Sequence, residues 1–320
     1  MKPGQFATGR RKVAIIGSGY VGASIAYALT IRETAREIVL IDVNKAKAQG
    51  EALDIRHGIP FMGTARLYQG DYADCADCDL IIITAGRNRR PGENRLDLAA
   101  ENTAIMRAVI DDVKRCYTRG VIMIISNPVD ILVHKVDGWM GLPNGMVFGS
   151  GCMLDSSRFV CAIADYVGLR TSVVSGFLAG EHGDAQVPIW SRVSIGGAPI
   201  GEYCENTGLP WTEEVRSSIA QKTRQMGADI IQAKGRTHYG IATCVCYLAD
   251  AVLNQRPMIA SVCSPLMGEH GVRDVSLSVP SVIGVNGVQQ RLREKWAPEE
   301  YRGFFTAVES VRSVLQRLEK

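Results

Sequence analysis

A chain of 320 residues with 46% hydrophobic side chains can bury a sizeable core and predicts two intimately packed domains. Lys and Arg outnumber Asp and Glu by only 36 to 33 and are scattered, which argues against a nucleic-acid groove or a membrane-binding face. No apolar run approaches the roughly 20 residues that span a bilayer, Met1 to Lys12 is polar where a signal peptide is apolar, and nine dispersed cysteines suit reduced thiols, so a cytoplasmic protein is expected.

Lys12 to Ile16 is a short continuous apolar run, the pattern of a parallel strand buried on both faces. Gly17-Ser18-Gly19-Tyr20-Val21-Gly22 follows at once, then a helix former from Ala23 to Thr30 and a second strand, Glu37 to Ile41, that ends in Asp42. A G-x-G-x-x-G alone says little, but one that leaves a strand, opens a helix and precedes an acid at the next strand tip describes a dinucleotide site. Gly17 permits the tight turn, Gly19 lets the backbone approach a pyrophosphate, and Gly22 lets helix and strand pack closely. With Tyr20 and Val21 opening the helix, its N-terminus faces the phosphates. Asp42 accepts hydrogen bonds from ribose hydroxyls and repels a 2′-phosphate, so the expected cofactor is NAD rather than NADP.

Further strands are expected at Ala65 to Tyr68, Leu80 to Thr84 and Val121 to Ser126, with helices near Lys45 to Arg56 and Leu96 to Tyr117. This alternation predicts an α/β architecture, a doubly wound parallel sheet of the Rossmann type. Ala85 and Gly86 then leave a carboxyl edge of the sheet beside the cofactor. The segment Thr84 to Asp97 carries Arg87, Arg89, Arg90 and Arg95 among Gly and Pro. Guanidinium groups want carboxylates, phosphates or water, so residues 86–97 read either as a lid over an anionic substrate or as a solvated basic loop. Asn127, at the end of the fifth strand, either orients the substrate hydroxyl or nicotinamide or caps a helix; its bond to Pro128 is a candidate cis peptide.

After Gly149-Ser150-Gly151 the pattern changes, dividing the chain into residues 1–149, which bind the dinucleotide, and 150–320, a mixed α+β substrate domain. On the helix Cys152 to Val167, Asp155 and Arg158 share a face that is otherwise apolar, which points to a buried pair. A strand from Val173 to Leu178 delivers Ala179-Gly180-Glu181-His182-Gly183-Asp184, and His182, with Asp155 as a candidate partner, is the best acid/base residue in the chain. No second His stands at ligand spacing, so no metal is expected there, and Cys75-Ala76-Asp77-Cys78 lacks the second pair of a zinc site. A hairpin is predicted from Val193 to Ile200, helices near Glu213 to Lys234, Tyr239 to Leu253 and Pro298 to Leu318, and strands near Ile259 to Cys263 and Val279 to Val285. Thr237, between two of these helices, either points its hydroxyl into a pocket or caps a helix.

These motifs, in this order from Lys12 to Leu318, closely resemble the NAD-dependent L-lactate/malate dehydrogenase family. The resemblance implies a small 2-keto or 2-hydroxy acid substrate and a homodimer or homotetramer. It makes His182 the proton donor and acceptor, Asp155 the stabiliser of its charged form, Arg158 a bidentate clamp on the substrate carboxylate and Arg95 the group that polarises the carbonyl. Arg89 falls where lactate enzymes usually carry glutamine and malate enzymes arginine, facing the variable end of the keto acid. In contrast, Pro91-Gly92-Glu93, Gly180 to Asp184 and Lys234-Gly235-Arg236-Thr237 look like the lactate branch. Pyruvate and L-lactate are therefore expected, with malate dehydrogenase as the alternative and a non-catalytic NAD-binding sensor as the third reading. Arg87 and Arg90 are assigned to solvent. Val160 and Ser175 replace the Arg and His that accompany fructose 1,6-bisphosphate activation in similar bacterial enzymes, so no such activation is expected.

Overall fold

The computed structural model describes residues 10–87 and 95–319, with the backbone alone at Arg95. Arg89 and Arg90 lie outside the described residues, as does the Arg95 side chain. The first half runs β1 (Lys12–Ile16), α1 (Tyr20–Ile31), β2 (Glu37–Ile41), α2 (Lys45–Met62), β3 (Arg66–Gln69), β4 (Leu80–Ile83), α3 (Arg95–Cys116), β5 (Val121–Ile124), α4 (Val129–Met140) and β6 (Val147–Gly149). The second half comprises α5 (Met153–Val167), β7 (Val174–Ser175), β8 (Leu178–Gly180), β9 (Gln186–Pro188), β10 (Ser194–Ile195), β11 (Ala198–Pro199), α6 (Ile200–Thr207), α7 (Glu213–Lys234), α8 (Tyr239–Leu253), β12 (Met258–Met267), β13 (Arg273–Gly284), β14 (Gly287–Arg291) and α9 (Pro298–Arg317).

The first six strands pair in parallel in the order β3-β2-β1-β4-β5-β6. All of β1, β4 and β5 is buried, as continuous apolar runs require when helices cover both faces. Because side chains alternate along a strand, Val13 and Ile15 enter one core while Ala14 and Ile16 enter another. The second core is closed by α3 and α4 through Met106, Ile110, Leu132 and Val133. The first is closed by Ile25 and Leu29 of α1 together with Val245, Leu248 and Ala249 of α8, a helix from the second half of the chain. Strands β12 and β13 extend the same sheet antiparallel, β12 pairing with β6 through Cys263 and Gly149.

The strand expected from Val173 to Leu178 is not continuous. Its beginning, β7, pairs with β10 in a small three-stranded sheet, whereas β8 pairs with β13 and β9 in the large one. The chain changes sheets at Gly176 and Phe177, where a Cβ on Gly176 would come within 3.2 Å of Val193 and 3.3 Å of Phe159. Strands β12 and β13 are longer than their apolar runs suggested, since they are paired with each other over most of their length.

Candidate active site

Two clusters meet at the carboxyl edge of the parallel strands. The first is built from backbone. Gly17 has φ +103°, and a Cβ there would lie 2.7 Å from the Ala85 nitrogen; a Cβ on Gly22 would lie 1.9 Å from the Gly17 carbonyl oxygen. Thr84 Oγ1 donates to that same carbonyl at 2.8 Å, locking the β4 exit against the glycine turn. Gly19 differs from its neighbours: a Cβ there meets no atom of the described residues within 4 Å. Its lack of a side chain therefore serves no internal packing and leaves open space in front of the helix, the close approach a pyrophosphate needs.

Helix α1 starts without a side-chain cap and has no acidic residue in its first turn, so its free N–H groups and positive dipole end face that space. Asp42 holds its position at the tip of β2 by accepting from the Ser18 N–H at 2.6 Å and the Asn44 N–H at 2.9 Å. Gly17, Gly19, Tyr20, Val21, Gly22, Asp42, Ala85 and Gly86 thus gather around one strand switch point, and the donor set fits a dinucleotide.

The second cluster is built from side chains. The buried Asp155 carboxylate is shared between His182, whose Nδ1 lies 2.6 Å from Oδ2, and Arg158, whose Nη1 donates to Oδ1 at 2.9 Å. Burial acts against the charge on both carboxylate and imidazole. The attraction and hydrogen bond between them outweigh it, so the Asp155 pKa is lowered and the His182 pKa is raised from the ordinary 6.5. Arg158 has room because α7 presents Gly227, where a Cβ would sit 3.4 Å from the guanidinium.

Sequence reasoning missed two residues here. Asp130, buried in the first turn of α4, accepts the His182 backbone N–H at 2.9 Å; burial pushes its own pKa up to about 6, against the pull of the nearby His182 charge. Asn102, buried on α3, accepts the Arg87 N–H at 3.0 Å and donates to the Arg87 carbonyl at 3.0 Å and the Asn127 carbonyl at 2.7 Å. It ties the exits of β4 and β5 together. Asn102 was findable, since it shares a helical face with Ala99 and Met106, both buried.

Other expectations divide. The Asn127 side chain is exposed and does not cap α4, whose N-cap is Pro128; the Asn127-Pro128 bond is cis. Thr237 is half-buried and does not cap α8, whose N-cap is His238. Arg87 corrects its assignment to solvent: its side chain pairs with Glu101 and is 18% exposed, because the Asn102 bonds draw the backbone onto α3. Cys75 and Cys78 are buried free thiols, Cys75 pushed up by burial to about 12.

A parallel sheet with a glycine turn at its switch point, facing a histidine–carboxylate–arginine cluster, defines a dinucleotide-dependent oxidoreductase of a small anionic substrate. Residues 11–149 match the model of the lactate/malate dehydrogenase NAD-binding domain and residues 152–318 that of the lactate/malate dehydrogenase alpha/beta C-terminal domain, so the chain belongs to the lactate/malate dehydrogenase family and binds NAD. It is 41% identical over 308 residues to an L-lactate dehydrogenase of Thermoanaerobacter sp. (strain X514), covering 96% of this chain and 99% of that protein. It is 42% identical to an L-lactate dehydrogenase of Priestia megaterium, covering 92% and 93%. The solved structure of the minor L-lactate dehydrogenase of Enterococcus mundtii superposes with a TM-score of 0.92 at 38% identity, covering 96% of this chain and 98% of the other. Among the described residues no helix is long and apolar enough to cross a membrane.

Proposed function

We propose that the chain is an L-lactate dehydrogenase, reducing pyruvate with NADH and a proton to L-lactate and NAD, and running the reverse reaction. The observation that carries this is the single buried carboxylate of Asp155, shared by His182 and Arg158. NAD supplies the hydride acceptor and donor when bound. His182 Nε2 faces the substrate oxygen and gives it a proton as negative charge develops there; Asp155 keeps Nδ1 protonated and offsets the imidazolium charge. Arg158, fixed by the same carboxylate, holds the substrate carboxylate with its planar fork. The resemblance assigns the carbonyl to Arg95 and the far end of the keto acid to Arg89, and Asn127, after β5, and Thr237, at the α7–α8 junction, are assigned to the substrate. In this reading residues 1–149 hold the coenzyme and residues 150–320 the substrate.

The names of the relatives support pyruvate over the malate alternative that Arg89 raised. Measuring kcat/KM for pyruvate and oxaloacetate in parallel tests this. A clear preference for pyruvate is expected; a preference for oxaloacetate overturns it, and no NADH consumption with either revives the sensor. A reducing, cytoplasmic setting is supported by nine free cysteines. The homodimeric or homotetrameric state that goes with the resemblance is checked by sedimentation.

A further inference from the structure

The α7–α8 junction lies against the first turn of α1. The Arg236 guanidinium carbon is 3.7 Å from the ring centroid of Tyr20, the first residue of α1, and Lys47 Nζ is 5.9 Å from the same ring. One turn along, His238 Nδ1 lies 3.0 Å from Ser24 Oγ. Burial, then the charges of Lys234 and Arg236, hold the His238 pKa below its ordinary value, so the histidine adds no cation there at neutral pH. Among the described residues Arg236 has this ring contact and no ion pair. The α1 entrance therefore gathers a guanidinium, an uncapped helix end and the open space before Gly19, with no acid in the first turn.

We propose that Arg236 is a coenzyme-binding residue, contributed by the second half of the chain, whose guanidinium is held on the Tyr20 ring to meet the pyrophosphate at the α1 N-terminus. This rests on NAD binding at the glycine turn. Ring and helix-end amide belong to the same residue, so the stack fixes the cation beside the donor that the phosphate already uses. A guanidinium suits this place because it stacks flat on the ring while its fork of N–H donors stays free for phosphate oxygens.

The test is direct binding of NADH, followed by fluorescence, and of ADP-ribose, followed by calorimetry. Arg236→Gln covers the ring without charge and is expected to weaken both ligands by roughly tenfold, the scale of one charged hydrogen bond. Arg236→Lys should fall between the two, and added salt should narrow the difference between wild type and Arg236→Gln. Lys234→Gln removes a charge that rides on Tyr239 instead, 4.1 Å from its centroid, and should change binding by no more than about twofold. The assignment is overturned if Arg236→Gln binds both ligands like wild type, if Lys234→Gln loses as much, or if NADH weakens while ADP-ribose does not. Arg236→Lys decides the matter should Arg236→Gln not fold, since unchanged salt dependence and affinity there would leave only a packing role.

Discussion

The glycine-turn side and the His182 side are built on different plans. The first draws on a contiguous run, Gly17 to Gly22, whose requirements are set by backbone approach: a Cβ on Gly22 would collide at 1.9 Å. The second joins α4, α5 and the segment after β8, so that Asp130, Asp155, Arg158 and His182 meet only once the sheet is assembled. A backbone site tolerates no added atoms, whereas a side-chain site tolerates no lost charge.

The largest effect expected on this contrast is at His182. His182→Asn should lower kcat/KM for pyruvate by on the order of 10²–10⁴, the worth of general acid catalysis, while NADH titration stays unchanged; weakened NADH binding would show that the two sides are not separable. Next comes Asp155→Asn. If His182 is the proton donor as proposed, pyruvate reduction needs its protonated form, whose pKa is raised, so the wild-type rate should hold below that raised value and fall as pH rises through it. With the carboxylate gone, burial acts unopposed by it and the fall moves to lower pH, together with a rate loss of about 10²-fold; a pH–rate profile reads both. Asp130→Asn should shift the same limb in the same direction by less, since Asp155 is the larger of the two influences.

The glycines test the other side. Gly22→Ala should destabilise the fold by about 1–3 kcal/mol in denaturant melts, because a backbone carbonyl must give way. Gly19→Ala should leave the melt unchanged yet weaken NADH binding, since its Cβ meets no atom of the described residues. If Gly19→Ala instead lowers stability, the open space before α1 is not reserved for a ligand. The smallest effect is an expected zero. Val160 and Ser175 both line a cavity of about 790 Å³ in which Arg192 is paired with Glu294 at 3.1 Å. Fructose 1,6-bisphosphate should leave the pyruvate KM unchanged, and a large fall would refute this.

This division also explains what the sequence made legible. The glycine turn, the acid at Asp42 and the buried apolar strands are short-range patterns, readable without knowing what lies opposite. Asp155 and Arg158 were readable as one helical face, and His182 by its flanking glycines. Asp130 was not, because a carboxylate in the first turn of a helix is ordinary dipole chemistry, and only the assembled sheet brings the His182 amide to it. The break at Gly176 was hidden for a similar reason: an apolar run does not say which of two sheets each end will join.

The packing of α8 beside α1 bears on how the molecule comes apart. Val245, Leu248 and Ala249 share one core with Val13, Ile15 and Leu40, and β12 continues the sheet from β6. The functional division of the chain is therefore not a division of its stability. A fragment ending at Gly149 would expose the face that α8 covers and an unpaired sheet edge at β6, so it should associate or fail to fold rather than persist as a dinucleotide-binding unit. The intact chain should lose both halves in a single cooperative transition.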